Sequence, residues 1–195
     1  MYLIVGLGNP GDEYTDTRHN LGFEAVGRLA KQLGSALKTD KNFEAKAAKT
    51  RFGSEQLILI TPLTFMNLSG RSVKAASDYY KIPAGQIILV YDDIDLEEGQ
   101  IRIKLGGGTA GHKGVESVIE HLKSRDFTRV RIGAGRPQKT QAADHVLSKI
   151  NKSERDRFES ASGTAALAVA EIISNGLDQA MNKFNGTSSN ADESL

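Results

Sequence analysis

Short apolar runs alternate with amphipathic stretches along this chain. Runs rich in isoleucine, leucine and valine, bounded by glycine, proline or aspartate, predict buried strands. They span residues 2–7, 56–61 and 86–91. Strict alternation of apolar and polar positions predicts two more strands, at 100–104 and 128–132, with cations on the face opposite the apolar one. Residues 43–52, followed by Gly53-Ser54, indicate one arm of a hairpin.

Between these strands, apolar residues recur at helical spacing. The predicted helices span residues 21–33, 71–80, 114–122, 154–173 and 177–184. Ser153 is the expected N-cap of the fourth. The alternation of strands and helices, with one hairpin inserted, predicts an α/β fold. We expect a single globular domain over residues 1–185, with a mixed, mainly parallel central sheet flanked by helices. The polar residues 186–195 are expected to form a disordered tail.

Composition narrows the chemistry. The 195 residues are 39% hydrophobic and 25% charged, which suits one domain with a proper core. The absence of cysteine excludes disulfides, thiolate metal sites and a cysteine nucleophile, and leaves four histidines and the carboxylates. The first apolar run lacks a preceding basic stretch, and no later run reaches the roughly 20 residues of a membrane span. We therefore expect a soluble, cytoplasmic protein that does not associate with membranes.

Charge is unevenly distributed along the chain. The formal net charge of +1 argues against attraction to nucleic acid by bulk charge. Residues 99–139, however, carry nine Lys/Arg and three Asp/Glu, a net charge of +6 between two acidic segments. Within this block Arg102 and Lys104 lie about 7 Å apart on one predicted strand face, a spacing similar to the repeat of a nucleic-acid backbone.

The first glycine motif, Gly6-Leu7-Gly8-Asn9-Pro10-Gly11, follows a strand and has the spacing of a dinucleotide-binding loop. Three features disfavour that function: the next helix begins near Asn20, carboxylates follow Gly11, and Lys31 stands where an acidic residue would bind the ribose. The motif instead indicates a tight turn that presents Asn9 at the carboxyl end of a strand, where α/β sheets build their sites.

Two further loops carry candidate chemistry. His19 lies in a polar loop at a helix start, where Asn20 is the natural cap, so His19 is available as a general base. In the second loop, residues 62–70, Asn67 offers both a donor and an acceptor. Asn67 and Asn9 together could hold an amide or ester carbonyl, whereas Met66 in the same loop could simply extend the core.

Asp92, Asp93 and Asp95 follow a strongly apolar strand. They could bind magnesium for phosphoryl transfer, one of them could orient a histidine, or all three could form a solvated turn. The glycine-rich stretch 105–114 runs into a helix and is either a phosphate-binding loop or a flexible linker. Lys113 lies in the first turn of that helix, at a cost of about 0.3–1 kcal/mol against the helix dipole, which a bound phosphate would offset.

Together and in this order, these motifs resemble those of bacterial-type peptidyl-tRNA hydrolases. The matching stretches cover nearly the whole chain: residues 5–11 with Tyr14, 17–22, 62–70, 92–96, 104–114 and 129–133. The resemblance implies a monomeric α/β protein without metal or cofactor. It further implies hydrolysis of the ester between a peptide and the 3′-terminal ribose of tRNA, which releases tRNA stranded by abortive translation.

The resemblance also implies roles for single residues. His19 is the expected general base, and Asp92 orients its imidazole. The expected substrate-binding residues are Asn9, Tyr14, Met66, Asn67, His112 and Lys113, with Tyr14 and Met66 as cleft walls and His112 beside the acceptor end of the tRNA. The expected tRNA contacts are Arg102 and Lys104, on the 5′-phosphate, and Arg131.

The sequence departs from the family pattern at two positions. Arg102 stands where lysine is usual and still supplies a cation, now with bidentate geometry. Lys113 replaces a usual asparagine, and we predict that it contacts tRNA phosphate. Two alternatives remain: a non-catalytic RNA-binding relative, as in organellar splicing factors of the family, and a magnesium-dependent phosphodiesterase. Retention of both His19 and Asp92 argues against the first, and sensitivity to EDTA would identify the second.

Overall fold

A computed structural model describes residues 1–137 and 141–185, which form seven strands and six α-helices. The strands are β1 Tyr2–Gly6, β2 Lys38–Asp40, β3 Ala45–Phe52, β4 Glu55–Pro62, β5 Ile87–Asp93, β6 Ile101–Leu105 and β7 Thr128–Gly133. The helices are α1 Leu21–Gln32, α2 Ser69–Tyr80, α3 Lys113–Leu122, α4 Ala142–Leu147, α5 Lys152–Asn175 and α6 Leu177–Phe184. The predicted tail, residues 186–195, lies outside the described residues.

All seven strands belong to one sheet in the order β2-β3-β4-β1-β5-β7-β6. The central strand β1 is parallel to β4 on one side and to β5 on the other, and β7 continues this parallel centre. The outer pairs β2–β3, β3–β4 and β6–β7 are antiparallel. The prediction of a mixed, mainly parallel sheet is confirmed, and the predicted arm at 43–52 is β3 of the β3–β4 hairpin.

Helices cover both faces of the sheet, and each face has its own apolar core. On one face, α1, α5 and α6 enclose a core that includes Ile4, Val90 and Phe158. On the other face, α2 and α3 pack over a core that includes Leu3, Val73 and Val118. Burial of the central strands on both faces explains why their sequences are continuously apolar rather than alternating. No α-helix in residues 1–137 and 141–185 is long and apolar enough to cross a membrane.

One predicted helix cap is wrong, and another is correct in position only. The cap of α5 is Asn151 rather than Ser153: its side chain accepts a hydrogen bond from the Glu154 N–H, and Glu154 reaches back to the Asn151 N–H in a capping box. Asn20 occupies the N-cap position of α1, but its side chain bonds the Asn9 backbone instead of the helix, with Asn20 Oδ1 2.7 Å from Asn9 N. The sequence prediction also missed β2 and α4.

The cation-bearing strand β6 lies at one edge of the sheet. Its outer backbone is paired with one side chain: Asn185 Oδ1 accepts from Ile103 N at 2.7 Å, and Asn185 Nδ2 donates to Ile103 O at 2.9 Å. Asn185 directly follows α6, so the packing of that helix sets the position of this amide. The backbone groups of Ile103 are thereby satisfied as they would be by a further strand.

Candidate active site

A cavity of about 580 Å³ opens where the carboxyl ends of β1, β4 and β5 meet. Parallel strands bring their ends to one edge of the sheet, and the loops that follow them carry the candidate residues. The polar side chains that line the cavity are Asn9, His19, Asn67, Tyr91, Asp92, Asp93, Thr109, His112 and Lys113. Several residues predicted from separate motifs therefore line one cavity, namely Asn9, His19, Asn67, Asp92 and His112.

The position of His19 depends on very close packing at the start of α1. His19 lies in a single 3-10 turn, Arg18–Asn20, which leads directly into this helix. A Cβ atom on Gly22 would lie 2.3 Å from Val90 O and 2.6 Å from Leu7 N. No side chain fits there, so the glycine lets the helix start rest on β5 and bring His19 to the end of that strand.

One carboxylate oxygen serves two histidines. Asp92 Oδ1 lies 2.8 Å from His19 Nδ1 and 3.1 Å from His112 Nε2, and the two imidazole centroids are 5.0 Å apart. The Asp92 side chain is buried, whereas both histidines reach the cavity. His19 Nε2 has no hydrogen-bond partner among the described residues. A neutral His19 that donates from Nδ1 to Asp92 therefore turns a free lone pair toward the cavity.

The bonds of His112 fix its tautomer. Its Nδ1 accepts the backbone N–H groups of Gly114 and Val115, at 3.1 and 3.3 Å, and so caps α3. An atom that accepts two hydrogen bonds carries no proton, so the proton of neutral His112 lies on Nε2 and is donated to Asp92. The imidazole thus occupies the Gly114 and Val115 N–H groups, so a phosphate at this helix start would not bind through them.

Electrostatics separate the protonation of Asp92 and His19. Burial acts to raise the pKa of Asp92, but the two imidazoles outweigh it and hold that pKa well below its usual range. Burial acts to lower the pKa of His19, but the charge of Asp92 and its hydrogen bond outweigh it, so the net pKa is raised above 6.5. The site therefore contains a carboxylate that stays ionised beside a histidine whose pKa is raised by that carboxylate.

Asn9 holds one wall of the cavity. Its Oδ1 accepts the Met66 N–H at 2.7 Å, and with Oδ1 engaged, its Nδ2 donors have no partner within the described residues. Met66 in turn packs closely on α3, since a Cβ atom on Gly114 would lie 2.4 Å from its sulfur. Asn67 is exposed in the 3-10 turn Met66–Leu68 and faces the same cavity. The two amides thus share one cleft, as the sequence predicts, but Asn9 also fixes the loop.

The structure adds a wall that sequence reasoning missed. Helix α4 contributes four apolar side chains to the cavity, Ala142, Ala143, Val146 and Leu147. Their spacing of i, i+1, i+4 and i+5 is the helical signal that could have revealed it. Arg18, which is 5% exposed, links the His19 segment to the end of α4 and the start of α5. It donates to Ser148 Oγ at 3.1 Å and to Glu154 Oε1 at 2.8 Å.

Four cations share one face of the β6–β7 pair. Arg102 lies opposite Arg131, and Lys104 lies opposite Arg129. Burial, followed by the charges of Arg131 and Arg129, lowers the pKa of Lys104. Arg131 is paired with Asp93, at 2.9 Å, and Arg129 is fully buried. The predicted cationic face therefore exists, but Arg129 cannot contact a ligand directly.

The two remaining candidates are Tyr14 and Lys113. Tyr14 lies in the 3-10 turn Asp12–Tyr14 and is not among the residues that line the cavity. Lys113 lines the cavity rim and is 69% exposed, but its Nζ pairs with Glu116 at 2.9 Å. The carboxylate of Glu116, within the same helical turn, offsets part of the cost of this cation at the helix start.

The acidic run does not form a magnesium site within the described residues. Asp92 binds two histidines, Asp93 pairs with Arg131, and Asp95 pairs with Arg136 at 2.9 Å, so the three carboxylates serve separate partners. In residues 1–137 and 141–185, one group could hold an ion, formed by His19, Asp92 and His112. Within that group, His19 Nδ1 and His112 Nε2 already bind the same oxygen of Asp92, so we assign no metal there.

Comparison with known proteins supports one family. The model of the family "Peptidyl-tRNA hydrolase" matches residues 3–193. A peptidyl-tRNA hydrolase of Thermoanaerobacter sp. (strain X514) is 48% identical, covering 95% of this chain and 100% of the relative, and that of Clostridium novyi is 43% identical, with 95% and 98% covered. A crystal structure of the peptidyl-tRNA hydrolase of Acinetobacter baumannii superposes with a TM-score of 0.91 at 38% identity, over 97% of each chain. The chain belongs to the peptidyl-tRNA hydrolase family.

Proposed function

We propose that this protein hydrolyses the ester bond between a peptide, or an N-blocked amino acid, and the 3′-terminal ribose of tRNA, and so recycles tRNA from stalled or abortive translation. One observation carries the proposal: Asp92 holds His19 Nδ1 at 2.8 Å and leaves Nε2 free in a cavity. That cavity is linked to the cationic sheet face through Asp93, which lines it and pairs with Arg131. A base and a basic surface in this arrangement suit an ester carried by a nucleic acid.

His19 acts as the general base. Its Nε2 removes a proton from a water molecule while the water oxygen attacks the ester carbon, and the Asp92 carboxylate stabilises the resulting imidazolium. The bond from carbon to the ribose 3′-oxygen then breaks, and the proton passes from His19 to that oxygen. A positioned base is worth about 10²–10⁴-fold, which suffices for an ester because an alkoxide next to a vicinal hydroxyl leaves more readily than an amine. The residues proposed for this step need no metal or cofactor.

The two amides recognise the peptide. Asn9 Nδ2 and the Asn67 side chain are positioned to bind the peptide end and the scissile carbonyl, with Met66 as a wall. Tyr14 belongs to the expected substrate set on family grounds alone, since it does not line the cavity. Amide groups suit a peptide bond better than a charged α-ammonium, so N-blocked substrates are preferred. Equal cleavage of aminoacyl-tRNA and its N-acetyl form would contradict this assignment.

The cationic face binds the tRNA. Arg102 and Lys104 clamp the 5′-phosphate, and Arg131 contacts the acceptor stem beside them. His112 and Lys113 form the part of the cavity that receives the CCA end. We further propose that the protein acts as a monomer, because every contact in this scheme is made by residues of one chain, and that it acts in the cytoplasm, where translation supplies its substrate.

Hydrolysis of N-acetyl-aminoacyl-tRNA by wild type and His19→Ala, both with EDTA, tests the proposal. We expect wild type to remain active in the chelator and His19→Ala to lose about 10²–10⁴-fold in kcat. His121→Ala is the matched control, because His121 bonds a backbone carbonyl within α3 rather than Asp92. Inactive wild type that still binds tRNA would identify a non-catalytic relative, and loss of activity in EDTA would indicate a metal-dependent phosphodiesterase or esterase.

A further inference from the structure

We infer that Arg129 is a positioning residue for the proposed reaction: it holds the glycine-rich loop, residues 106–112, in the conformation that brings His112 to Asp92. The inference deepens the proposed function and rests on it. Arg129 lies on β7, is fully buried, and does not reach the cavity. It therefore acts through other residues rather than on the substrate.

The guanidinium of Arg129 binds the middle of this loop. Its Nη1 donates to Gly108 O, and its Nη2 donates to Gly107 O at 2.7 Å. The ring of Phe127 lies 4.8 Å below the guanidinium carbon. Two parallel donors in a rigid plane fix the direction of both carbonyl groups, which a single contact could not do.

The loop needs such support because its backbone is unusual. Gly106, Gly107, Ala110 and Gly111 all have positive φ, a region that favours glycine and is uncommon for alanine. The start of the loop is bound by Gly106 N to Phe127 O at 3.0 Å, and its end by His112 N to Thr109 O at 2.9 Å. Arg129 supplies the bonds between these two points.

Two paths lead from Arg129 to the catalytic carboxylate. Along the chain, the loop ends at His112, whose Nε2 lies 3.1 Å from Asp92 Oδ1. Through space, Arg129 lies beside the Tyr91 hydroxyl, where it opposes the rise that burial causes in the pKa of Tyr91. The Tyr91 ring in turn meets the His112 ring edge-on at 4.9 Å. One guanidinium is therefore connected to His112 by two routes, through the loop and through Tyr91.

The charge of Arg129 is not balanced by an ion pair. No carboxylate of the described residues lies within ion-pair distance of it. The nearby carboxylate of Asp93 pairs with Arg131 instead. A buried cation without a counter-ion is costly, and fixed carbonyl dipoles are the partners that offset this cost. The loop and the arginine thus stabilise each other, and lysine, with one compact ammonium, cannot replace the fork.

The test compares Arg129→Met and Arg129→Lys with wild type on two substrates. The first is N-acetyl-aminoacyl-tRNA, and the second is the same ester on a CCA trinucleotide, which lacks the 5′-phosphate and the acceptor helix. We expect both variants to lose about ten- to a hundredfold in kcat on both substrates, because a small displacement of catalytic groups has effects of this size. The exposed Arg125→Met, which removes one cation without a buried contact, should keep the wild-type kcat.

Three results would overturn the inference. A rise in KM for the tRNA substrate alone, with kcat on the trinucleotide unchanged, would show that Arg129 contributes only to phosphate binding. Full activity of Arg129→Lys would show that the positive charge is sufficient and the two parallel donors of the guanidinium are not needed. If Arg129→Met fails to fold, Arg129→Lys alone tests the positioning role. Wild-type kcat in both variants would remove any positioning role. Inactivity of wild type on both substrates would instead contradict the proposed function.

Discussion

The Nδ1 atom of His19 lies 2.8 Å from Oδ1 of Asp92, a carboxylate that is 1% exposed. The charge of Asp92 raises the pKa of His19 against the opposing effect of burial. Because the proposed base must be neutral, wild-type activity should rise as the pH increases through this raised pKa. The pair thus connects the geometry of the site to a measurable pH profile.

Asp92→Asn should lower kcat by about 10²–10⁴-fold, since the imidazolium loses its stabilising charge. Burial would then act on His19 without the opposing carboxylate, so its pKa should fall. The acid limb of kcat/KM should therefore move to lower pH. The pH profile of the residual activity measures this shift, and an unchanged midpoint would show that a group other than His19 is titrated.

His112 has two functions that one substitution can separate. His112→Asn keeps a side chain that caps helices well, whereas His112→Ala removes the cap of α3 at a cost of about 1 kcal/mol in the free energy of unfolding. Neither variant can donate to Asp92 as His112 does. The carboxylate should then attract the His19 imidazolium more strongly, and the acid limb of kcat/KM should move to higher pH in both. Urea unfolding and pH profiles measure the two effects, and equal stability of the variants would refute the capping role.

The rim cation Lys113 must release Glu116 to contact tRNA. Lys113→Asn should reduce the slope of log K against log salt for tRNA binding by about one. Lys123→Asn is the matched control, because it removes the same charge from the opposite end of α3, where asparagine tolerates the left-handed backbone. If both variants change the slope equally, Lys113 acts through net charge and makes no local contact.

Arg18 joins the His19 segment to the start of α5. Its side chain is 6% exposed and pairs with Glu154, so Arg18→Met leaves a partly buried carboxylate without its cation. We expect a loss of about 3–5 kcal/mol in the free energy of unfolding. Arg71, which pairs with Glu44 between two half-exposed side chains, supplies the control: Arg71→Met should cost less than about 1 kcal/mol. Similar losses in urea unfolding would show that the burial of Arg18 adds nothing.

Two glycines of α1 differ in their surroundings. Gly22→Ala would place a Cβ atom 2.3 Å from Val90 O, whereas a Cβ atom on Gly27 meets nothing within 4 Å. The first substitution should destabilise the protein by about 1–3 kcal/mol or more. The second should stabilise it by about 0.5–1 kcal/mol, because alanine restricts the unfolded chain. Thermal or urea unfolding compares them, and destabilisation by both would indicate loss of helix flexibility rather than a clash.

The predictable part of the fold follows from burial. The central strands are covered on both faces, so runs such as 2–7 and 86–91 are apolar throughout and were recognised as strands. The site was also predictable in outline, because Asn9 and Asp92 end two adjacent parallel strands and meet at one sheet edge. His19 was a candidate base from its position in a polar loop at a helix start, whereas its pairing with Asp92 was expected only from the family motifs.

What the sequence could not show depends on long-range contacts. Strand alternation placed Arg129 on a cationic face, but only the path of the glycine-rich loop over that face buries it. The preference of asparagine for helix caps favoured Asn20 as a cap, yet the nearby Asn9 backbone binds its side chain instead. Helix α4 has only six residues, so its apolar pattern is a weak signal in the sequence. The role of these apolar positions is clear only from the cavity that they line.

The pairing of Asn185 with Ile103 lets the cationic strand β6 meet two opposing requirements. A strand that offers Arg102 and Lys104 to a ligand must stay accessible on its face, and an accessible edge strand invites another copy to extend the sheet. A single amide at the end of α6 satisfies the backbone of Ile103, in the middle of that edge, without covering the face. The residue that protects the centre of this edge from pairing with another strand thus lies about 80 residues away in the sequence, in a side chain that does not line the cavity.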